Sequence, residues 1–383
     1  MLRSVTTCGR CAWRSACGGR PDGQQSLFGC FDPCQTSDLC EGLACPCQGD
    51  RFIKLLRDVG GLDSRPWKPI RGPELELPLY VPILRHGKKR ERPFDRPVVG
   101  ISIRELLPRR RAENYHPVVA TAARLRDWYR VPRKTRIIVS SVAPDQAIED
   151  FWSFRNVTDV VAELAKLDLA AMTTPNYSFF TNVPRTHTLF SRKRIVVVAE
   201  ELSAAGIPTI LHVNAETDAD WDFWFDVLSG FPTIRYVAKE FQTGNRRLDS
   251  GLRALHELDR LQQRLGRRLH PVAIGGAQYA MFFAQRFETY TIMDSHPFMT
   301  ASHRRELTFR SGRLAKVRRR AAMLDELLER NESLYAAMLE FQRRTGTQRR
   351  RRLPLAGVAF PGTHLPSAPS VPTASQAGAD SQI

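Results

Sequence analysis

Eight cysteines crowd into the first 47 residues of a 383-residue chain, at Cys8, Cys11, Cys17, Cys30, Cys34, Cys40, Cys45 and Cys47, and none follows. The pattern is C-x2-C-x5-C-x12-C-x3-C-x5-C-x4-C-x-C, with no histidine inside it. Thiols as close as Cys8/Cys11 and Cys45/Cys47 can reach one ion from a single turn. The stretch is rich in glycine and proline and poor in large apolar residues, so it needs a staple to fold. Two four-cysteine zinc sites would use every thiol. One iron–sulfur cluster beside one zinc site would do the same, because both metals accept all-cysteine ligation. Disulfides are the third possibility. Residues 1–8 lack the apolar core of a secretion signal, which points to a cytoplasmic, reducing setting and so to metal.

A second set of polar residues follows short apolar runs. Ile207-Pro208-Thr209-Ile210-Leu211 gives way to His212-Val213-Asn214-Ala215-Glu216, and Pro271-Val272-Ala273-Ile274 to Gly275-Gly276-Ala277-Gln278. Thr289-Tyr290-Thr291-Ile292-Met293 leads into Asp294-Ser295-His296, and residues 233–238 into Lys239-Glu240. Such runs, separated by amphipathic helices, suit a parallel sheet buried on both faces. Sheets of that kind carry their chemistry just past the carboxyl ends of the strands.

Residues 50–61 read as a short helix closed by Gly60 and Gly61, which ends a cysteine-rich module spanning 1–61. Residues 62–97 are rich in proline and charge and read as an extended strap lying over the end of the sheet. The first strand is expected at 98–103, with further strands at 136–141 and 169–174, the last ending at Pro175-Asn176-Tyr177-Ser178. Helices are expected near 117–130, 157–167 and 184–205. Seven strands can be placed and an eighth is suspected. This favours one parallel TIM-like (β/α) barrel over residues 98–303, and the absence of a Gly-x-Gly-x-x-Gly or Walker loop argues against dinucleotide and P-loop folds. Residues 304–352 read as a basic helix or helical pair, and 353–383 as a disordered Pro/Ser/Ala tail.

Charge points to a partner. The chain carries a formal +17 with a pI near 10.0, which suits a polyanion, nucleic acid before an acidic membrane surface. Fifteen basic against six acidic residues between Arg304 and Arg352 leave about +9 in that segment alone. Arg318, Arg319 and Arg320 and the run Arg349, Arg350, Arg351 and Arg352 are its densest clusters, suited to phosphates of RNA or DNA. No apolar stretch approaches the ~20 residues of a membrane span.

The cysteine-rich start, the strap, Thr174-Pro175-Asn176-Tyr177-Ser178 and Gly206-Ile207-Pro208 together resemble an uncharacterised bacterial and phage family. More distantly, residues 137–305 resemble barrels of the tRNA-guanine transglycosylase type, including relatives that modify DNA. That likeness rests on Asn176, on His212-Val213-Asn214, on the pair Gly275-Gly276, and on Asp294 followed by Arg304-Arg305. It implies that Asp294 attacks a ribose anomeric carbon as the base leaves, a role a carboxylate fills by forming a glycosyl ester. A second aspartate of that family handles the proton of the base. Here the matching residue is Asn176, which holds no titratable proton, so Asp145, Glu216 or Glu240 would have to serve. The family's zinc module is C-terminal and contains a histidine, unlike the N-terminal all-cysteine one here.

Two functions of different class follow. In the first, the barrel is an enzyme on a base or nucleoside: Asp294 and Asn176 sit at the chemistry, His212, Asn214, Glu216 and Gln278 read the substrate, and Gly275 and Gly276 let it approach the backbone. In the second, the chain is a non-catalytic, metal-stapled nucleic-acid-binding protein. The metal content can be read directly. Elemental analysis is expected to return two zinc ions per colourless chain; four intact disulfides and no stoichiometric metal would contradict this, and visible iron–sulfur absorption would replace one zinc site by a cluster.

Overall fold

In a computed structural model, residues 49–62, 66–88, 90–108, 112–179, 185–310, 313–319 and 322–352 are described. The eight cysteines, and the tail read as disordered, lie outside the described residues. The described chain opens with helix α1 (Gly49–Asp58), which Gly60 and Gly61 close in left-handed conformations (φ 68° and 86°).

Eight parallel strands then close into a barrel in chain order. They are β1 (Tyr80–Leu84), β2 (Val98–Ser102), β3 (Arg136–Ser140), β4 (Ala171–Thr173), β5 (Thr209–His212), β6 (Tyr236–Glu240), β7 (His270–Ile274) and β8 (Thr291–Asp294). The helices between them are α2 (Ile103–Leu106), α3 (Ala122–Tyr129), α4 (Asp145–Phe154), α5 (Val160–Ala165), α6 (Arg185–Ala204), α7 (Asp218–Gly230), α8 (Leu248–Arg264) and α9 (Ala280–Arg286). Successive side chains of a strand alternate between the two faces of a sheet. Val81, Ile83, Val98, Ile138, Ile210, Ala238, Val272, Ile274 and Met293 fill the axis. Val99, Ile101, Ile137, Val139, Leu211, Val237 and Ile292 pack outward under the helices. Gly100 faces the axis because nothing larger fits: a Cβ there would lie 2.8 Å from Met293 Cε and 2.9 Å from Ile83 Cγ1.

Three expectations change. The eighth strand is β1, inside the stretch read as strap, so the barrel begins at Tyr80 rather than at Val98. Its apolar run is interrupted by Pro82, which brings no N–H to the ladder and so disguises a strand. What remains of the strap crosses the amino end of the barrel. There Thr209 N donates to Arg71 O at 2.7 Å, Tyr236 Oη to Leu75 O at 2.9 Å, and Thr291 Oγ1 to Pro78 O at 2.7 Å.

After β8 and the short helix α10 (His296–Ser302), the expected helical pair is instead an antiparallel hairpin followed by one helix. The hairpin is β9 (Arg305–Arg310) with β10 (Arg313–Arg318), and the helix is α11 (Leu324–Arg352). Arg-Glu-Leu-Thr-Phe-Arg alternates with the period of a strand, a pattern masked by its arginines. The third change is local: Asp145 to Phe154, between the strand expected at 136–141 and the helix expected near 157–167, forms a helix of its own. Helix α11 lies against α9 and α10. It passes so close to α9 that a Cβ on Gly346 would stand 2.3 Å from Met281 O. Asn331 pins it, accepting from Leu307 N at 2.6 Å and donating to Arg305 O at 3.1 Å. Among the described residues no helix is long and apolar enough to cross a membrane.

Candidate functional site

Strand alternation determines what the carboxyl end of the barrel offers. With Val98, Ile138, Ala171, Ile210 and Ala238 facing the axis, the last inward positions of β2 to β6 are Ser102, Ser140, Thr173, His212 and Glu240. Five consecutive strands thus place a polar layer on an apolar barrel interior. Continuing the apolar fill would stabilise the fold better, so this layer is unlike a packing solution.

His212 stands out within it. It is fully buried, and neither ring nitrogen has a hydrogen-bond partner. Burial, with a smaller contribution from the Lys239 ammonium, pushes its pKa down to about 3. The ring is therefore neutral at physiological pH and presents one donor and one acceptor. Its main chain is fixed by His212 N donating to Thr174 Oγ1 at 2.8 Å. Above it, Asn214 Nδ2 donates to Asn176 Oδ1 at 2.6 Å and to Tyr177 O at 3.1 Å. The ends of β4 and β5 thus bring together three residues singled out in the sequence, His212, Asn176 and Asn214.

Glu216 lies just beyond, where α7 begins. Its N–H donates to Asp220 Oδ2 at 3.0 Å, and its Oε2 accepts from Thr188 Oγ1 at 3.5 Å. Asp220 is a buried hub, bonded by Arg185 Nη2 and Arg192 Nη1, each at 2.6 Å. Burial alone would raise its pKa, but the two guanidinium groups outweigh it and hold the carboxyl below its ordinary range. Lys239, pointing outward from β6, donates to Val213 O at 3.0 Å, and burial lowers its pKa to about 8. The Glu240 carboxylate folds onto its own loop, accepting from Thr243 N at 2.6 Å and Thr243 Oγ1 at 3.0 Å. Asp145 accepts from Ser178 Oγ at 2.5 Å.

The remaining sequence candidates lie elsewhere. Gly275 and Gly276 both have φ of 76°, and a Cβ on either would meet Gln242 at 2.5 Å or Phe241 at 2.7 Å. They are glycines because the turn after β7 packs on the loop after β6. Gln278 is exposed on the 3-10 turn Ala277–Tyr279. Asp294 is turned away from the axis, since Met293 faces inward and Ile292 outward. Its Oδ2 accepts from Tyr335 Oη of α11 at 2.5 Å, and its Oδ1 from His296 N at 2.9 Å. The local N–H bond is the capping role open to any aspartate ahead of a helix.

Of the basic clusters, Arg318 and Arg319 are exposed at the end of β10, and Arg319 Nε reaches Glu306 Oε2 at 2.7 Å. Arg349 is exposed and Arg350 half-buried near the end of α11, which Arg351 and Arg352 complete. Arg320 lies outside the described residues. Among those residues no group of three His, Cys, Asp or Glu side chains is placed to hold a metal.

Beside Asp294 the seam between barrel and α11 buries Tyr335, Glu332 and the hydroxyl of Tyr80. The Tyr80 hydroxyl faces the Glu332 carboxyl, and neither group has a hydrogen-bond partner elsewhere. Burial raises the Glu332 pKa to about 8, with Tyr80 and Arg96 opposing and Asp294 adding to the rise. Below about pH 4.5 both folded and unfolded chains hold this proton. From there to about pH 8 the unfolded chain ionises Glu332 while the folded chain does not, so stability drains away across that window. Glu332→Gln is expected to flatten the pH dependence of Tm between those limits. It is also expected to raise Tm at pH 8, by about 2–4 °C for each kcal/mol recovered. Parallel Tm–pH curves for parent and variant would contradict this placement of the proton.

No family model matches the chain, and no curated protein matches it.

Proposed function

We propose that this is a nucleic-acid-associated barrel that takes a base or nucleoside at its carboxyl end, in a transglycosylase-like layout. The observation that carries the reading is His212, an inward-facing, neutral imidazole with two unsatisfied nitrogens at the mouth. A buried polar group left without a partner costs about 1–3 kcal/mol. A ligand that donates to one ring nitrogen and accepts from the other would recover that cost. The edge of a nucleobase carries such paired groups, and the carboxamides of Asn176 and Asn214, past the ends of β4 and β5, offer more of the same kind. The excess of positive charge supports an attachment to nucleic acid.

For base exchange, Asp294 would be the nucleophile and Asn176 would stand beside the departing base. A specific observation favours the second reading, a non-catalytic nucleic-acid-binding protein stapled by metal at its cysteines. The Asp294 carboxylate already holds Tyr335 and the His296 N–H, on the outer side of β8.

The test is His212→Leu, examined by equilibrium dialysis against a panel of free nucleobases and nucleosides and by thermal melting. The parent is expected to bind one of the panel, and the variant to bind it about tenfold more weakly or worse. Its Tm should be equal or higher, because an unsatisfied polar group has left the interior. No binding by the parent, or equal binding by a folded variant, would refute the assignment.

A further inference from the structure

A hollow of about 370 Å³ opens between α10 and the hairpin, lined by Met299, Thr300, His303, Arg305 and Lys316. It lies off the helix that follows the last barrel strand.

Three observations on its lining agree. Arg305 pairs across the hairpin with Arg318, and Lys316 pairs with Leu307, so Arg305, Lys316 and Arg318 share one face. Like charges on one face of a ribbon repel. Among the described residues Arg305, Lys316 and Arg318 have no acidic partner, because the nearby Glu306 is taken by Arg319 and Arg330. Thr300 is 3% exposed, yet its hydroxyl has no hydrogen-bond partner, not even the carbonyl one turn back in its own helix. His303, at the rim, is committed to its own helix, its Nδ1 donating to Met299 O at 2.6 Å. The lining therefore offers donors and positive charge, and no carboxylate to neutralise them.

We infer that this hollow binds a phosphate group, held by the Arg305 guanidinium, the Lys316 ammonium and the Thr300 hydroxyl. Arginine supplies a forked, charge-assisted contact and lysine a point charge, the usual division of labour at a phosphate. The site is distinct from the barrel mouth, and it stands whatever the mouth takes.

The test uses the full chain and three probes: inorganic phosphate, a short single-stranded oligonucleotide with hydroxyl ends, and the same oligonucleotide with a 5′-phosphate. Inorganic phosphate is expected to raise Tm at low ionic strength. Arg305→Gln, Lys316→Gln and Thr300→Val are each expected to weaken phosphate binding, by about tenfold for the charged residues. Thr300→Val also keeps the side-chain shape and leaves the unliganded Tm unchanged or higher. A backbone phosphate as natural ligand predicts equal competition by both oligonucleotides, and a terminal phosphate predicts competition by the 5′-phosphorylated one alone; either result supports the site. Phosphate stabilisation that persists in all three folded variants would overturn it, as would no stabilisation of the parent. His212→Leu should leave phosphate binding intact, so the two sites fail separately.

Discussion

Everything in this structure depends on the seam where β1 meets β8. A parallel sheet of eight strands has unpaired edges unless the first strand pairs with the last, and closure removes both edges. Here Tyr80, Val81 and Pro82 align with Ile292, Met293 and Asp294. Closure sets the barrel's interior spacing, and with it the inward layer from Ser102 to Glu240. The seam is reinforced from outside by α11, through the Tyr335–Asp294 bond and the contact between the Tyr80 and Tyr335 rings, whose centroids lie 5.3 Å apart. The cost is a buried Glu332 that must keep its proton to stay there. The C-terminal helix is therefore part of the barrel's closure as well as a bearer of charge.

This arrangement divides the chemistry of the molecule between two faces. The mouth holds neutral, hydrogen-bonding groups: a histidine that burial keeps unprotonated, two carboxamides, and hydroxyls. Carboxylates near it are already engaged, Glu240 by its own loop and Asp220 by two arginines. Such a mouth can read a ligand by its donors and acceptors. The charged groups stand on the hairpin and the end of α11, where water screens them and a polyanion can reach them. On the function proposed above, recognition of an uncharged base and of a charged backbone would fall to separate surfaces.

Much of this was legible from sequence because short apolar runs with polar ends have one good structural solution. The strands carrying Asn176, His212 and Glu240 came out of that pattern, as did the parallel barrel. What was missed has physical causes. Pro82 hid β1, and the arginines of Arg305–Arg310 hid a strand whose alternation was present in Leu307 and Phe309. Ser102, Ser140 and Thr173 end strands whose inward and outward residues are equally apolar, so their direction is not legible in the sequence. The direction of Asp294 could not be read at all. Ile292 and Met293 are equally apolar, so the sequence does not say which of them faces the axis, and Asp294 follows from that choice. Gly275 and Gly276 suggested close approach of a ligand, whereas they are held against Phe241 and Gln242.

The proposed role of the barrel turns on whether His212 meets a ligand at its mouth. Nitrogen NMR of the protein with isotopically labelled histidine observes both ring nitrogens of that residue directly, with His212→Leu assigning the resonances. In the free protein the signals should report one neutral tautomer that persists at acid pH, as a pKa near 3 requires. On saturation with the nucleobase or nucleoside that binds, both nitrogens should shift, one as a donor and one as an acceptor. Signals that stay unchanged at saturation would show that His212 is a satisfied part of the interior, and would contradict the claim that the barrel mouth is built to read a base.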